Sequence, residues 1–157
     1  MSLEKQKLKN NLTTNPGEPS VMASETQSKI ESQLKKNQIN VSAQASYIAS
    51  ESNPESCRFF FAYKMKILNQ GKLPAQLMSR HWIITDGAGH VEEIRGAGVV
   101  GTQPRILPGQ HFEYESACPL TTASGSMKGY YQMVLEDGDS FDVEIPEFYL
   151  IAPSALH

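Results

Sequence analysis

The feature that most constrains this chain is an alternation of apolar and polar residues that begins at Ile39 and returns, with interruptions, to the C-terminal region. Ile39, Val41, Ala43, Ala45 and Tyr47 alternate with Asn40, Ser42, Gln44 and Ser46. Successive side chains of a strand point to opposite faces, so a period of two fits a half-buried β-strand and gives a helix no apolar face. After a break at Asn53-Pro54, Phe59, Phe61, Tyr63, Met65 and Ile67 continue the pattern until the Asn69-Gln-Gly71 turn. Leu77 to Thr85 is apolar on both faces around Arg80 and His81, and Asp86-Gly-Ala-Gly89 reads as a hairpin into His90 to Arg95. Phe112 and Tyr114 mark a later strand. Met127, Tyr131, Met133 and Leu135 mark another, and after the Glu136-Asp-Gly-Asp139 turn Phe141, Val143 and Ile145 mark the last. About seven strands without a long helical pattern must bury their apolar faces sheet against sheet, as an all-β antiparallel sandwich or barrel.

The alternation does not extend to the N-terminus, and there the composition changes. Residues 1–37 are rich in Lys, Asn, Ser, Thr and Gln, and are expected to be a disordered or weakly helical extension. Within it Ser28 to Gln38 offers a short helix with Ile30 and Leu34 on one face, too little to hold itself together in water. Residues 38–157 form the single folded domain that a chain of 157 residues accommodates. The extension carries six Lys against four Glu, leaving eight basic and thirteen acidic residues for the domain. An acidic body lacks the basic face that nucleic-acid binding requires. No apolar run reaches the roughly 20 residues of a membrane helix, and the cationic start is not followed by a signal-peptide core. A cytoplasmic protein that binds neither nucleic acid nor membrane is the expectation, with Cys57 and Cys118 as reduced thiols.

Gly96-Ala-Gly98-Val-Val-Gly101 matches the G-x-G-x-x-G dinucleotide fingerprint. That chemistry needs a helix opening at the third glycine, and Pro104 and Pro108 exclude one. Two readings survive: a bulged connection crossing between sheets, and an anion-binding nest of backbone N–H groups assisted by Arg95 or Arg105. His81, His90, His111 and His157 have no ligand spacing, and the 136–142 carboxylate run lacks the order of a calcium loop. Cys118, followed by Pro119 in an expected turn, has no base beside it in sequence. No catalytic residue, metal site or cofactor is therefore expected, and the chain reads as a binding protein, not an enzyme.

Several segments together resemble the ApaG family: Ser79-Arg-His-Trp-Ile-Ile-Thr-Asp-Gly87, Glu92-Glu-Ile-Arg-Gly-Ala-Gly-Val-Val-Gly-Thr-Gln-Pro104, Leu107-Pro-Gly-Gln-His-Phe-Glu-Tyr114, Cys118-Pro-Leu-Thr-Thr-Ala-Ser-Gly-Ser-Met-Lys-Gly-Tyr-Tyr131 and Phe141-Asp-Val-Glu-Ile-Pro-Glu-Phe-Tyr-Leu150. The resemblance runs from about Ile39 to His157. It implies a fibronectin type III or immunoglobulin-like sandwich. It implies no established catalysis, an association with diadenosine tetraphosphate turnover and with cobalt and magnesium tolerance, and domains of this kind serving as protein-recognition modules. The family's glycine motif falls on Gly96, Gly98 and Gly101. Ala97 and Leu135 stand where the family often carries acidic residues, which removes candidate cation ligands.

The leading expectation is a non-catalytic module for protein–protein interaction; the alternative is a binder of pyrophosphate, nucleotide or a divalent cation at the glycine loop. Phe60 is out of phase with Phe59 and Phe61, and Tyr130 with Tyr131, so each puts an aromatic on a polar face beside Lys64 or Lys128. Phe60, Lys64, Lys128 and Tyr130 are thus the candidate partner surface. Its occupant would be an unidentified protein or, through an open edge strand, a second copy of the chain.

Overall fold

The computed structural model describes residues 24–30 and 38–156. The chain divides into two units, residues 1–35 and 36–157. In the first, residues 24–30 are helical and exposed; the rest of the expected N-terminal extension lies outside the described residues.

In the second unit the alternation becomes eight strands: β1 (Ile39–Tyr47), β2 (Phe59–Asn69), β3 (Ala75–Asp86), β4 (Val91–Ala97), β5 (Arg105–Ile106), β6 (His111–Leu120), β7 (Ser124–Leu135) and β8 (Ser140–Ile151). They form two antiparallel sheets, β1-β2-β6 and β4-β3-β7-β8, with β5 also paired to β3. The fold is thus the β-sandwich expected, with the two-residue β5 added to seven long strands. Registers such as Val41↔Ile67, Met65↔Tyr114 and Met133↔Phe141 align the apolar phase of neighbouring strands. Phe61, Met65, Ile67, Leu77, Met127, Tyr131, Met133, Ile145 and Leu150 are consequently sealed between the sheets. Each such burial contributes about 1.5–3 kcal/mol, set against the entropy of ordering the chain.

Two bulges set which residues face inward. The β3–β7 register shifts between Leu77 and Ser79, so the inward phase changes from Ala75 and Leu77 to Arg80, Trp82 and Ile84. The β7–β8 register shifts between Met127 and Gly129, where β8 carries Pro146, a residue that tolerates a bulge because it lacks a ladder donor. Along one side of the sandwich β1 lies beside β8. On the other, β4 and β6 are the unpaired edges of their sheets among the described residues.

Two local expectations are corrected. Cys118 and Pro119 lie within β6, not in a turn, and Cys118 is buried. The glycine segment does not cross between sheets: β4 and β5 run along the same edge of β3, with Ser79 opposite Ala97 and Gln76 opposite Arg105. One interrupted edge strand thus contains the whole motif, and residues 98–104 bulge out of it.

Candidate functional site

The glycine bulge explains its own composition. Val100 and Gly101 have φ of 43° and 80°, and Val99 and Thr102 exchange both backbone hydrogen bonds at 2.8 and 3.0 Å. This is a two-residue turn with both central residues left-handed, as a type I′ turn requires. Gly98, at φ 60°, is needed for a second reason: a Cβ there would lie 2.2 Å from the Thr102 carbonyl oxygen. Val99, Pro104 and Ile106 turn inward and fasten the bulge to the core.

The backbone donors of the motif are largely committed. Gly98 N–H donates to the Met78 carbonyl at 2.8 Å, and those of Val99 and Thr102 bond each other's residue. The candidate arginines are also engaged elsewhere: Arg95 lies 3.8 Å from Glu93, and Arg105 hydrogen-bonds Glu136 at 3.0 Å. Neither is brought to the motif as the partner of a nest. The cation that does lie on it is Arg80, which the sequence reading did not select. Its Nη1 donates to the carbonyls of Ala97 and Gly98 at 3.1 and 2.9 Å. Gly96, opposite Arg80 in register, makes room for the guanidinium, since a Cβ there would come within 2.9 Å of Nη2. The signal was the register change at Met78, which a single sequence does not display.

Arg80 also lines a cleft of about 340 Å³ between the sheets, on the open side where β4 faces β6. In register order β3 and β4 present Arg80 with Gly96, Trp82 with Ile94, and Ile84 with Glu92. The cleft therefore has a guanidinium toward one end and a carboxylate toward the other, with apolar walls between. Tyr63, Cys118 and Met127 contribute from β2, β6 and β7. Trp82 is 2% exposed and its Nε1 has no hydrogen-bond partner, an uncommon condition for a buried donor. Arg80 has no carboxylate partner among the described residues, whereas Arg95, Arg105 and Lys64 each have one.

Burial governs the titratable groups here. Desolvation pushes the Cys118 thiol up to about 11, and the Glu92 carboxylate adds to the rise. A neutral thiol at physiological pH is a poor nucleophile. Desolvation likewise raises the Tyr63, Tyr114 and Tyr131 phenols, and the Arg80 charge partly offsets it in all three. The hydroxyls of Tyr114 and Tyr131 hydrogen-bond each other within the core.

The four residues of the candidate partner surface do not form one patch. Phe60 and Lys64 project from β2 and Lys128 and Tyr130 from β7, so the pairs occupy the outer faces of opposite sheets. The Arg58 guanidinium lies 5.8 Å from the centre of the half-buried Phe60 ring. Lys64 pairs with Glu113 at 3.3 Å beside a shallow depression that Lys66 also lines. Tyr130 remains 44% exposed. Of the positions where the resemblance implied acidic residues, Ala97 ends β4 and Leu135 is buried in the core. Among the described residues no three His, Cys, Asp or Glu side chains come together as metal ligands, and no helix is long and apolar enough to cross a membrane.

Comparison with known proteins places these features in a group. The model of the ApaG domain family matches residues 49–135. A Bdellovibrio bacteriovorus protein named ApaG is 63% identical over 117 residues, covering 74% of this chain and 92% of that protein. Its Dechloromonas aromatica namesake is 55% identical over 126 residues, covering 80% and 99%. A crystal structure of a Bordetella pertussis protein described as ApaA superposes with a TM-score of 0.72 at 50% identity, covering 73% of this chain and 94% of that one.

Proposed function

The chain belongs to the ApaG domain family, and from that premise we propose that it is a non-catalytic binding module that takes a partner protein along the open side of its sandwich. The observation that carries this reading is the condition of β4. Six of its seven residues, all but Gly96, are exposed, its outer edge is unpaired among the described residues, and Val91 and Ile94 are 62% and 37% exposed. An unpaired edge offers a row of backbone donors and acceptors to an extended segment, while its side chains select the segment that docks. Glu92, Glu93 and Arg95 keep this edge charged, which resists indiscriminate pairing and favours a partner strand with complementary charge. The committed amides of the glycine bulge lend no support to a polyphosphate there. A cytoplasmic location is part of the same proposal, supported by two free cysteines.

The test is affinity capture from native cell extract with Val91→Lys and Ile94→Lys on β4, against Tyr130→Ser on the outer face. Loss of the captured protein with the β4 variants and its retention with Tyr130→Ser supports the proposal. Retention by both folded β4 variants refutes it. Light scattering shows whether the occupant of the edge is a second copy of the chain.

A further inference from the structure

We infer that the cleft between β4 and β6 is a binding site for a small organic monocarboxylate, with Arg80 receiving the carboxylate and Trp82 and Ile94 enclosing an apolar body. The inference shares Ile94 with partner binding at the β4 edge but is defined by Arg80 and Trp82 on β3, which the edge variants leave in place.

Three observations converge. The volume, about 340 Å³, lies within the range of small-molecule sites, which are mostly apolar with a few placed polar groups. Arg80 faces inward, lines the cleft and has no carboxylate partner among the described residues. Its hydrogen bonds run from Nη1 to two main-chain carbonyls, which fix the guanidinium without neutralising its charge. A planar guanidinium held in this way is suited to a carboxylate, which it can bind through two parallel hydrogen bonds. Trp82, a wall of the same cleft, keeps a buried indole N–H without an acceptor.

Charge order along the cleft narrows the class. Glu92 lies opposite Ile84 in register, four residue pairs along from Arg80 and Gly96. A second negative group near that end would be repelled, which disfavours dicarboxylates and polyphosphates. A neutral or amine-bearing end would be accepted. Ile84, Ile94, Pro119 and Met127 provide apolar surface for the part between.

The test uses the intact protein and the Trp82 indole N–H resonance, which is unique because the chain has one Trp. 3-Phenylpropanoate is titrated beside its uncharged amide, 3-phenylpropanamide, and beside inorganic pyrophosphate. The expected result is a saturable shift of the Trp82 signal with the acid, at least tenfold weaker binding of the amide, and no saturable shift with pyrophosphate. Arg80→Gln should weaken acid binding tenfold or more, while Arg95→Gln, on the same β-strand pair, should leave it unchanged. Gly96→Ala tests the position of the guanidinium with its charge retained, and should also weaken the acid. Equal binding of acid and amide would make the cleft an apolar cavity and overturn the inference, and that comparison needs no variant. Absence of a saturable shift, tighter binding of pyrophosphate, or equal losses from Arg80→Gln and Arg95→Gln would overturn it as well.

Discussion

Replacing Tyr131 by Phe removes one hydroxyl from a pair buried between the sheets and leaves the other without a partner. Tyr131 is fully buried and Tyr114 is 7% exposed, and among the described residues each hydroxyl has the other as its hydrogen-bond partner. The ring of Tyr131 stays in place in the variant, so little apolar packing changes. The orphaned Tyr114 hydroxyl then carries the desolvation penalty of an unsatisfied buried group, about 1–3 kcal/mol. Tyr114→Phe should cost a similar amount for the reciprocal reason. The double variant removes both polar groups together and should be closer to the parent than either single one, because no unsatisfied atom remains. Urea unfolding followed by far-UV circular dichroism gives the four free energies of the cycle, with unchanged slopes as the check on two-state behaviour. At roughly 4 °C per kcal/mol, the single variants should melt about 4–12 °C below the parent. If the double variant loses the sum of the two single losses or more, the hydroxyls do not depend on each other and the reasoning fails.

Alkaline pH should destabilise the domain through Cys118. The unfolded thiol ionises near 9 and the folded one near 11, so between those values proton loss favours the unfolded chain. The loss approaches about 1.4 kcal/mol per pH unit at its steepest, and urea midpoints measured across that window should show a shallower decline in Cys118→Ala. Val100→Asn should raise the melting temperature by several degrees, or about 1 kcal/mol, because a β-branched residue at φ 43° is replaced by one that tolerates that region; unchanged or lowered melting would count against a strained turn. Gly98→Ala should cost at least about 2 kcal/mol, since its Cβ would meet the Thr102 carbonyl oxygen, and should exceed Gly101→Ala, whose Cβ meets no atom within 4 Å; chemical denaturation ranks the two.

The legible parts of the fold were those governed by uninterrupted periodicity. β1 and β2 could be placed because their apolar residues keep one phase along their lengths, and the Asp86 and Glu136 turns because Gly89 and Gly138 stand where φ is positive. β5 escaped notice because two residues between Pro104 and Pro108 cannot display alternation. The end of β8 was hidden by Pro146 at a bulge. The candidate site was less legible, because its central residue depends on phase. Extending the Ala75–Leu77 phase would turn Arg80 outward, and only the register shift before Ser79 turns it into the cleft. Proximity in sequence misled for Arg95 and Arg105, whose side chains reach Glu93 and Glu136 instead of the glycine bulge. Alternation identified Phe60 and Tyr130 as out of phase but could not assign them to sheets, and the pairing of β2 with β6 and β7 with β8 puts them on opposite faces.

The order in which strands join the sheets has a kinetic consequence. Hairpins β1–β2, β3–β4 and β7–β8 join strands adjacent in sequence, but the sheets are completed only when Phe59 meets Leu120 and Ala75 meets Leu135. These closures bring together distant parts of the chain, and such contacts slow folding toward the millisecond-to-second range of β-sandwiches. During synthesis the first two hairpins, which belong to opposite sheets, emerge before β6 can pair with β2 or β7 with β3. The growing chain thus exposes unpaired strand edges for seconds at ordinary elongation rates, an interval in which association between nascent chains competes with closure of the sandwich.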